Sequence, residues 1–201
     1  MFSTMDKIKF TWREKKLNLK KFRVGAMYCF SRCVNVNCIM AKKLKYVEVK
    51  EVFQEFPDEI TLAFNISNCP CGCEGCHSSY LAEDKGMPLT LVNIMNEVEK
   101  HPGITCVGFM GGDANPAMIN LLAQLVKEAE PRMKIGWYSG RTYVDTAINL
   151  HNFDYIKIGP YIKNLGPLSS EKTNQNMYEI RNGKYYANIT HRFWKKELGV
   201  S

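Results

Sequence analysis

Apolar and polar residues alternate from Tyr46 to Phe53 (YVEVKEVF), the period-two pattern of a strand with one covered face. Ile60 to Ile66 (ITLAFNI) is instead a nearly continuous apolar run, as in a strand covered on both faces. The period then changes. Thr90 offers an N-cap to a helix whose apolar positions Leu91, Ile94, Met95 and Val98 share one face, and His101-Pro102-Gly103 ends it. Ile104 to Met110 reads as the next strand, broken by Gly111-Gly112-Asp113. Asn115 as N-cap with Pro116 at the first helical position opens a second helix, with Ile119, Leu122, Leu125, Val126 and Ala129 on one face. Met133 to Tyr138 is a further β segment that runs into Ser139-Gly140-Arg141. A short helix is expected around Tyr143 to Leu150, then a strand from Tyr155 to Ile158 and the turn Gly159-Pro160.

Strands alternating with helices imply an α/β fold of parallel strands joined by right-handed crossovers. In that architecture the C-terminal ends of the strands open onto one edge of the sheet. The segment after Ile66, Gly111-Gly112-Asp113, Ser139-Gly140-Arg141 and Gly159-Pro160-Tyr161 all fall at such ends, so four unusual segments should converge on one site. The chain is too short for eight βα units, and a partial, open barrel is expected. Beyond Gly166-Pro167 the pattern is irregular until Asn182-Gly183, between two β-prone arms, predicts a type I′ hairpin. The tail from Thr190 to Lys196 is basic and aromatic, and is read as packing its aromatics on the domain.

Composition, 45% hydrophobic and 23% charged over 201 residues, suits a single domain with a real core. The net charge of +7 suggests nucleic acid until it is located. Residues 1–39 carry nine Lys/Arg against two Asp/Glu, while residues 40–201 carry eighteen of each. The excess belongs to the first 39 residues, which a uniformly basic binding face would not produce. Met40-Ala41-Lys42-Lys43 reads as a natural start, so residues 1–39 are taken as a basic extension upstream of it and residues 40–201 as the domain. No window reaches the roughly 18 apolar residues of a membrane span, and no signal peptide is legible. The protein is read as cytoplasmic, where eight cysteines point to metal or redox chemistry rather than disulfides.

Those cysteines fall into Cys29, Cys33 and Cys38, a cluster at 69–76, and Cys106. The first group matches no zinc spacing and is read as incidental thiols. The cluster Cys69-Pro70-Cys71-Gly72-Cys73-Glu74-Gly75-Cys76 contains CxxxCxxC through Cys69, Cys73 and Cys76. A [4Fe-4S] cluster normally takes four protein thiolates, so three leave one iron open to another ligand. Gly72 and Gly75 let the loop turn tightly. Cys71 is assigned as a non-ligand because only 69, 73 and 76 give this spacing. The competing reading is a zinc site with Cys71 or His77 as fourth ligand, but structural zinc usually draws on two separated ligand pairs and no second pair lies downstream.

Taken together, Asn65-Ile66-Ser67-Asn68-Cys69, Gly75-Cys76-His77, Gly111-Gly112-Asp113, Trp137-Tyr138-Ser139-Gly140 and Asp154-Tyr155-Ile156-Lys157 with Gly159-Pro160-Tyr161 resemble the radical S-adenosylmethionine superfamily. Within it the chain is similar, over about residues 45–196, to the activating proteins of anaerobic (class III) ribonucleotide reductases. Asp113 stands where the superfamily has Glu, Gly75 where it often has an aromatic, and Cys71 is additional. The resemblance implies a [4Fe-4S] cluster on Cys69, Cys73 and Cys76, with S-adenosylmethionine bound to the open iron. Gly111, Gly112 and Asp113 would take its amino group, and Ser139 its ribose or carboxylate. A flavodoxin-like donor would supply the electron, and a glycine of the anaerobic ribonucleotide reductase would receive the radical. His77, His101, His151 and His191 are read as structural or solvated, with His77 at the rim or bonded to the cluster. The alternatives are an activator of another glycyl-radical enzyme, a small-molecule radical enzyme, and a zinc module binding nucleic acid through the basic start; the located charge argues against the last.

Overall fold

The elements are β1 (Lys45–Val52), β2 (Thr61–Ile66), β3 (Met87–Pro88), α1 (Leu91–Lys100), β4 (Cys106–Met110), α2 (Pro116–Ala129), β5 (Lys134–Tyr138), β6 (Tyr155–Ile158), β7 (Asn176–Arg181) and β8 (Lys184–Asn188). They come from a computed structural model that describes residues 43–194, so the readings made on residues 1–39, including Cys29, Cys33 and Cys38, and on Lys195 and Lys196 lie outside the described residues. All eight strands join one mixed sheet in the order β3-β1-β2-β4-β5-β6-β7-β8, with two α-helices among the described residues. The sheet ends on β3 and β8 and is not closed into a barrel. β2, β4, β5 and β6 pair in parallel, as the alternating pattern implied. β1 departs from that expectation and lies antiparallel to β2, since the short link 53–60 can return the chain without a crossover.

The helices form where their caps predict. Thr90 accepts a hydrogen bond from Asn93 N at the start of α1, and Asn115 accepts from Met118 N at the start of α2, with Pro116 in the first turn. Ile94 and Met95 of α1 and Ile119, Leu122 and Val126 of α2 are buried. The predicted helix at 143–150 does not form. That segment is a run of turns ending in a 3-10 turn at Leu150–Asn152. Its polar groups bond sideways instead, Asn149 N and Asn152 Nδ2 both donating to Asn120 Oδ1 of α2, at 2.8 and 3.1 Å.

A core cluster joins Phe56, Cys106, Tyr155, Met177 and Ile189. Gly108 and Gly136 are register partners in β4 and β5, and neither leaves room for a Cβ beside the Phe56 ring. The hairpin forms as expected: Asn182 and Gly183 have φ of 51° and 70°, the double positive φ of a type I′ turn. Phe193 of the tail packs against the Phe56 cluster, while Trp194 stays 38% exposed. Among the described residues no helix is long and apolar enough to cross a membrane.

Candidate functional site

Residues 67–77, 111–113, 139–141 and 159–161 follow the C-terminal ends of β2, β4, β5 and β6, the four parallel strands, and therefore share one edge of the sheet. Asn68, with φ of 60°, turns the chain out of β2. Asn68 N donates to Glu83 O and Cys69 N to Leu81 O, tying the start of the cysteine loop to the segment that follows it. Gly72 and Gly75 both have positive φ, and Gly75 lies where a methyl group would touch Lys163 and Tyr161. The loop after β6 therefore flanks the cysteine loop. Cys69, Cys71, Cys73 and Cys76 are all free and half-buried.

Cys71 makes the contacts that sequence spacing could not assign. Its Sγ stands 3.7 Å from Asp113 Oδ2. A Cβ on Gly140 would come within 2.5 Å of that sulfur, so Gly140 leaves the space that Cys71 fills. The Cys71 thiol also donates to the Cys69 sulfur, which holds the Cys69 thiol down to about 6 and pushes that of Cys71 up. One proton thus faces two acceptors, and Cys71 is engaged with its own neighbours.

Asp113 is 2% exposed. Its Oδ1 accepts from Ser139 Oγ at 2.6 Å and lies 3.7 Å from Arg141 Nε, and its Oδ2 accepts from Gly140 N at 2.8 Å. Arg141 Nη2 donates to the Asp113 carbonyl at 2.8 Å. The structure thus brings Asp113 and Ser139 together, bonded to one another. The Gly111 carbonyl accepts from Trp137 Nε1 and the Gly112 carbonyl from Asn115 N. Each carbonyl keeps a second lone pair for a ligand.

Two further residues of this edge were given no role by the sequence. Arg141 is the clamp just described. Lys157 is 7% exposed, and its Nζ donates to Gly159 O at 2.7 Å and Ser139 O at 3.5 Å. Burial pulls its ammonium down to about 8, against the opposing pull of Asp113 and of Cys73, Cys71 and Cys76. A lysine inside the apolar strand Tyr-Ile-Lys-Ile is the signal that could have flagged it. His77 is exposed and its Nδ1 lies 3.3 Å from Ser78 Oγ.

Among the described residues no three His, Cys, Asp or Glu side chains stand grouped as metal ligands. The thiols of Cys69, Cys73 and Cys76 share a loop but must draw together to hold one group. Their chemistry fits an iron–sulfur cluster: soft donors, free, partly exposed, on a loop with glycine turns that can gather as ligands bind. A cavity of about 580 Å³ opens at the opposite end of the sheet, lined by Lys127, Asp154, Glu179 and Arg181 among others. Its cations are already paired, Lys127 with Asp154 at 2.9 Å and Arg181 with Glu179 at 2.7 Å, which leaves little charge for a ligand. Comparison with protein-family models, curated proteins and solved structures found no match to this chain.

Proposed function

We propose that this chain is a radical S-adenosylmethionine activase, which reductively cleaves S-adenosylmethionine at a [4Fe-4S] cluster and generates the glycyl radical on an anaerobic ribonucleotide reductase. The observation that carries this reading is the meeting of a CxxxCxxC loop with Asp113, Ser139 and Lys157 at the C-terminal edge of four parallel strands. On this reading the open sheet is the partial barrel of that superfamily. A cluster held by Cys69, Cys73 and Cys76 would supply one-electron reductive cleavage of the sulfonium, with a flavodoxin-like protein as donor, methionine and 5′-deoxyadenosine as products and a glycine Cα of the reductase as the source of the hydrogen atom.

The chain's own residues hold and orient. Cys69, Cys73 and Cys76 would carry the cluster, and the positive φ of Gly72 and Gly75 lets their loop close around it. Gly111 and Gly112, without side chains, offer carbonyl lone pairs to the ligand's ammonium. Asp113 contributes negative charge at the same place while fixing Ser139, Gly140 and Arg141. No separate acid, base or nucleophile is needed.

Anaerobic reconstitution of the full chain with iron and sulfide tests this. A brown protein with about four irons, an electron paramagnetic resonance signal on reduction that changes when S-adenosylmethionine is added, and release of 5′-deoxyadenosine is the expected result. Incubation with an anaerobic ribonucleotide reductase should then give a glycyl-radical signal. Stoichiometric zinc without a cluster ends the reading; cleavage without any radical on the reductase moves the activity to another partner.

A further inference from the structure

We propose that Lys157 is the counter-cation of the cysteine loop and sets how readily a cluster held there accepts an electron. This rests on the activase reading and deepens it, because it assigns the electrostatic control of the redox step to a residue that binds no metal. Lys157 lies in β6, the strand whose following loop flanks the cysteine loop. Its ammonium is buried and forms no ion pair among the described residues. Two neutral carbonyls, those of Ser139 and Gly159, take two of its three donors.

The Tyr138 ring lies under the Lys157 ammonium at 5.8 Å, but a buried cation held only by carbonyl dipoles and a ring face is costly unless a negative group faces it. The group on this edge that faces it with a carboxylate is Asp113, and the Cys73, Cys71 and Cys76 sulfurs lie within its electrostatic reach, those of Cys73 and Cys76 gaining negative charge as thiolate ligands once a cluster is held. Ser139 links the two sides directly: its carbonyl accepts from Lys157 and its hydroxyl donates to Asp113, whose other oxygen meets Cys71. A cluster on three thiolates is a net-negative centre, and reduction adds one more negative charge. A fixed cation beside it favours that electron, since net charge and hydrogen bonding around a cluster tune its potential.

The test is a potentiometric titration of the reconstituted full chain, without S-adenosylmethionine, followed by electron paramagnetic resonance. One electron enters the cluster from dithionite and no bond breaks. Lys157→Gln keeps an amide donor for the carbonyls but removes the charge. It should lower the equilibrium constant for reduction at least tenfold, which for a one-electron couple is a fall of about 59 mV. Lys157→Arg, which keeps the charge, should stay within about threefold of wild type on the same scale. Lys157→Met is measured beside Lys157→Gln, so that if either fails to fold the other decides.

Iron and sulfide content must match wild type in each protein compared. An unchanged potential in the neutral variants overturns the proposal, as does an equal fall in Lys157→Arg, which would make the residue a matter of shape. A wild-type chain that holds no iron ends the activase reading and this inference with it. A normal cluster indifferent to Lys157 ends this inference alone.

Discussion

Asp113 has its carboxylate closed on three sides, by Ser139 at 2.6 Å, Gly140 at 2.8 Å and Cys71 at 3.7 Å. A carboxylate buried to this degree is costly without such donors, so these bonds explain why the loops after β4 and β5 hold one arrangement. They also separate Cys71 from the other three cysteines of its loop. Its proton is shared between Asp113 and the Cys69 sulfur, and its side chain fills the space left by Gly140. Cys69→Ala, Cys73→Ala and Cys76→Ala should each abolish cluster retention and S-adenosylmethionine cleavage, whereas Cys71→Ala should keep both within a few-fold of wild type. Iron content after reconstitution and 5′-deoxyadenosine release measure this. A Cys71→Ala protein as iron-poor as the other three would make Cys71 a ligand and remove the 69-73-76 assignment.

Among the elements, β4 and β5 are shaped by an absence of side chains. Gly108 and Gly136 face one another across the parallel pair; the Phe56 ring occupies the space a Cβ on Gly136 would take, and Thr61 with the edge of that ring crowds the Cβ position of Gly108. Gly136→Ala should therefore destabilise by about 1–3 kcal/mol through overpacking, although an alanine would suit a strand better than glycine. Phe56→Leu should cost stability alone but less when combined with Gly136→Ala, because the smaller side chain yields the space. Urea midpoints of the two single variants and the double variant test it, and strictly additive losses would mean the ring and the glycine are not in contact. No sequence pattern reveals this contact, since Phe56 lies in the β1–β2 link, 80 residues from its partner. What was legible was local: the Thr90 cap, the Asn115-Pro116 start and the Asn182-Gly183 turn each act over a few residues. The missing helix at 143–150 marks the limit, because the bonds that replace it reach across to Asn120 of α2.

The whole molecule places different chemistry at the two ends of one sheet. Alternation of strands and helices was enough to predict which four segments share the C-terminal edge, because parallel direction alone decides that. It could not show that Asp113 is buried against Ser139 or that Lys157 points among these loops, since both depend on side-chain contacts between separate strands. Towards the opposite end Cys106, at the start of β4, is fully buried with Phe56 and Tyr155. Burial pushes its thiol well above the ordinary value of 9.0, with Glu59 and Asp154 adding to the rise and Thr61 and Lys134 opposing it. The sign follows from proton counting. Below pH 9 the thiol is protonated whether the chain is folded or not, and its contribution to stability is complete. Above pH 9 the unfolded chain releases this proton while the folded chain retains it, so stability falls as pH rises. Tyr155 and Tyr138 are likewise pushed up by burial and add a similar loss above pH 10. Comparing wild type with Cys106→Ala isolates the thiol, because the cavity left by the substitution costs the same at every pH while every other ionisable group is common to both proteins. Wild type should be the more stable at pH 7, and its advantage should shrink above pH 9 at a slope approaching about 1.4 kcal/mol per pH unit. Urea unfolding of the cluster-free chain under reducing, oxygen-free conditions between pH 7 and 10 measures the gap. A gap that stays constant across that range would show that Cys106 ionises as easily in the folded protein as in the unfolded chain.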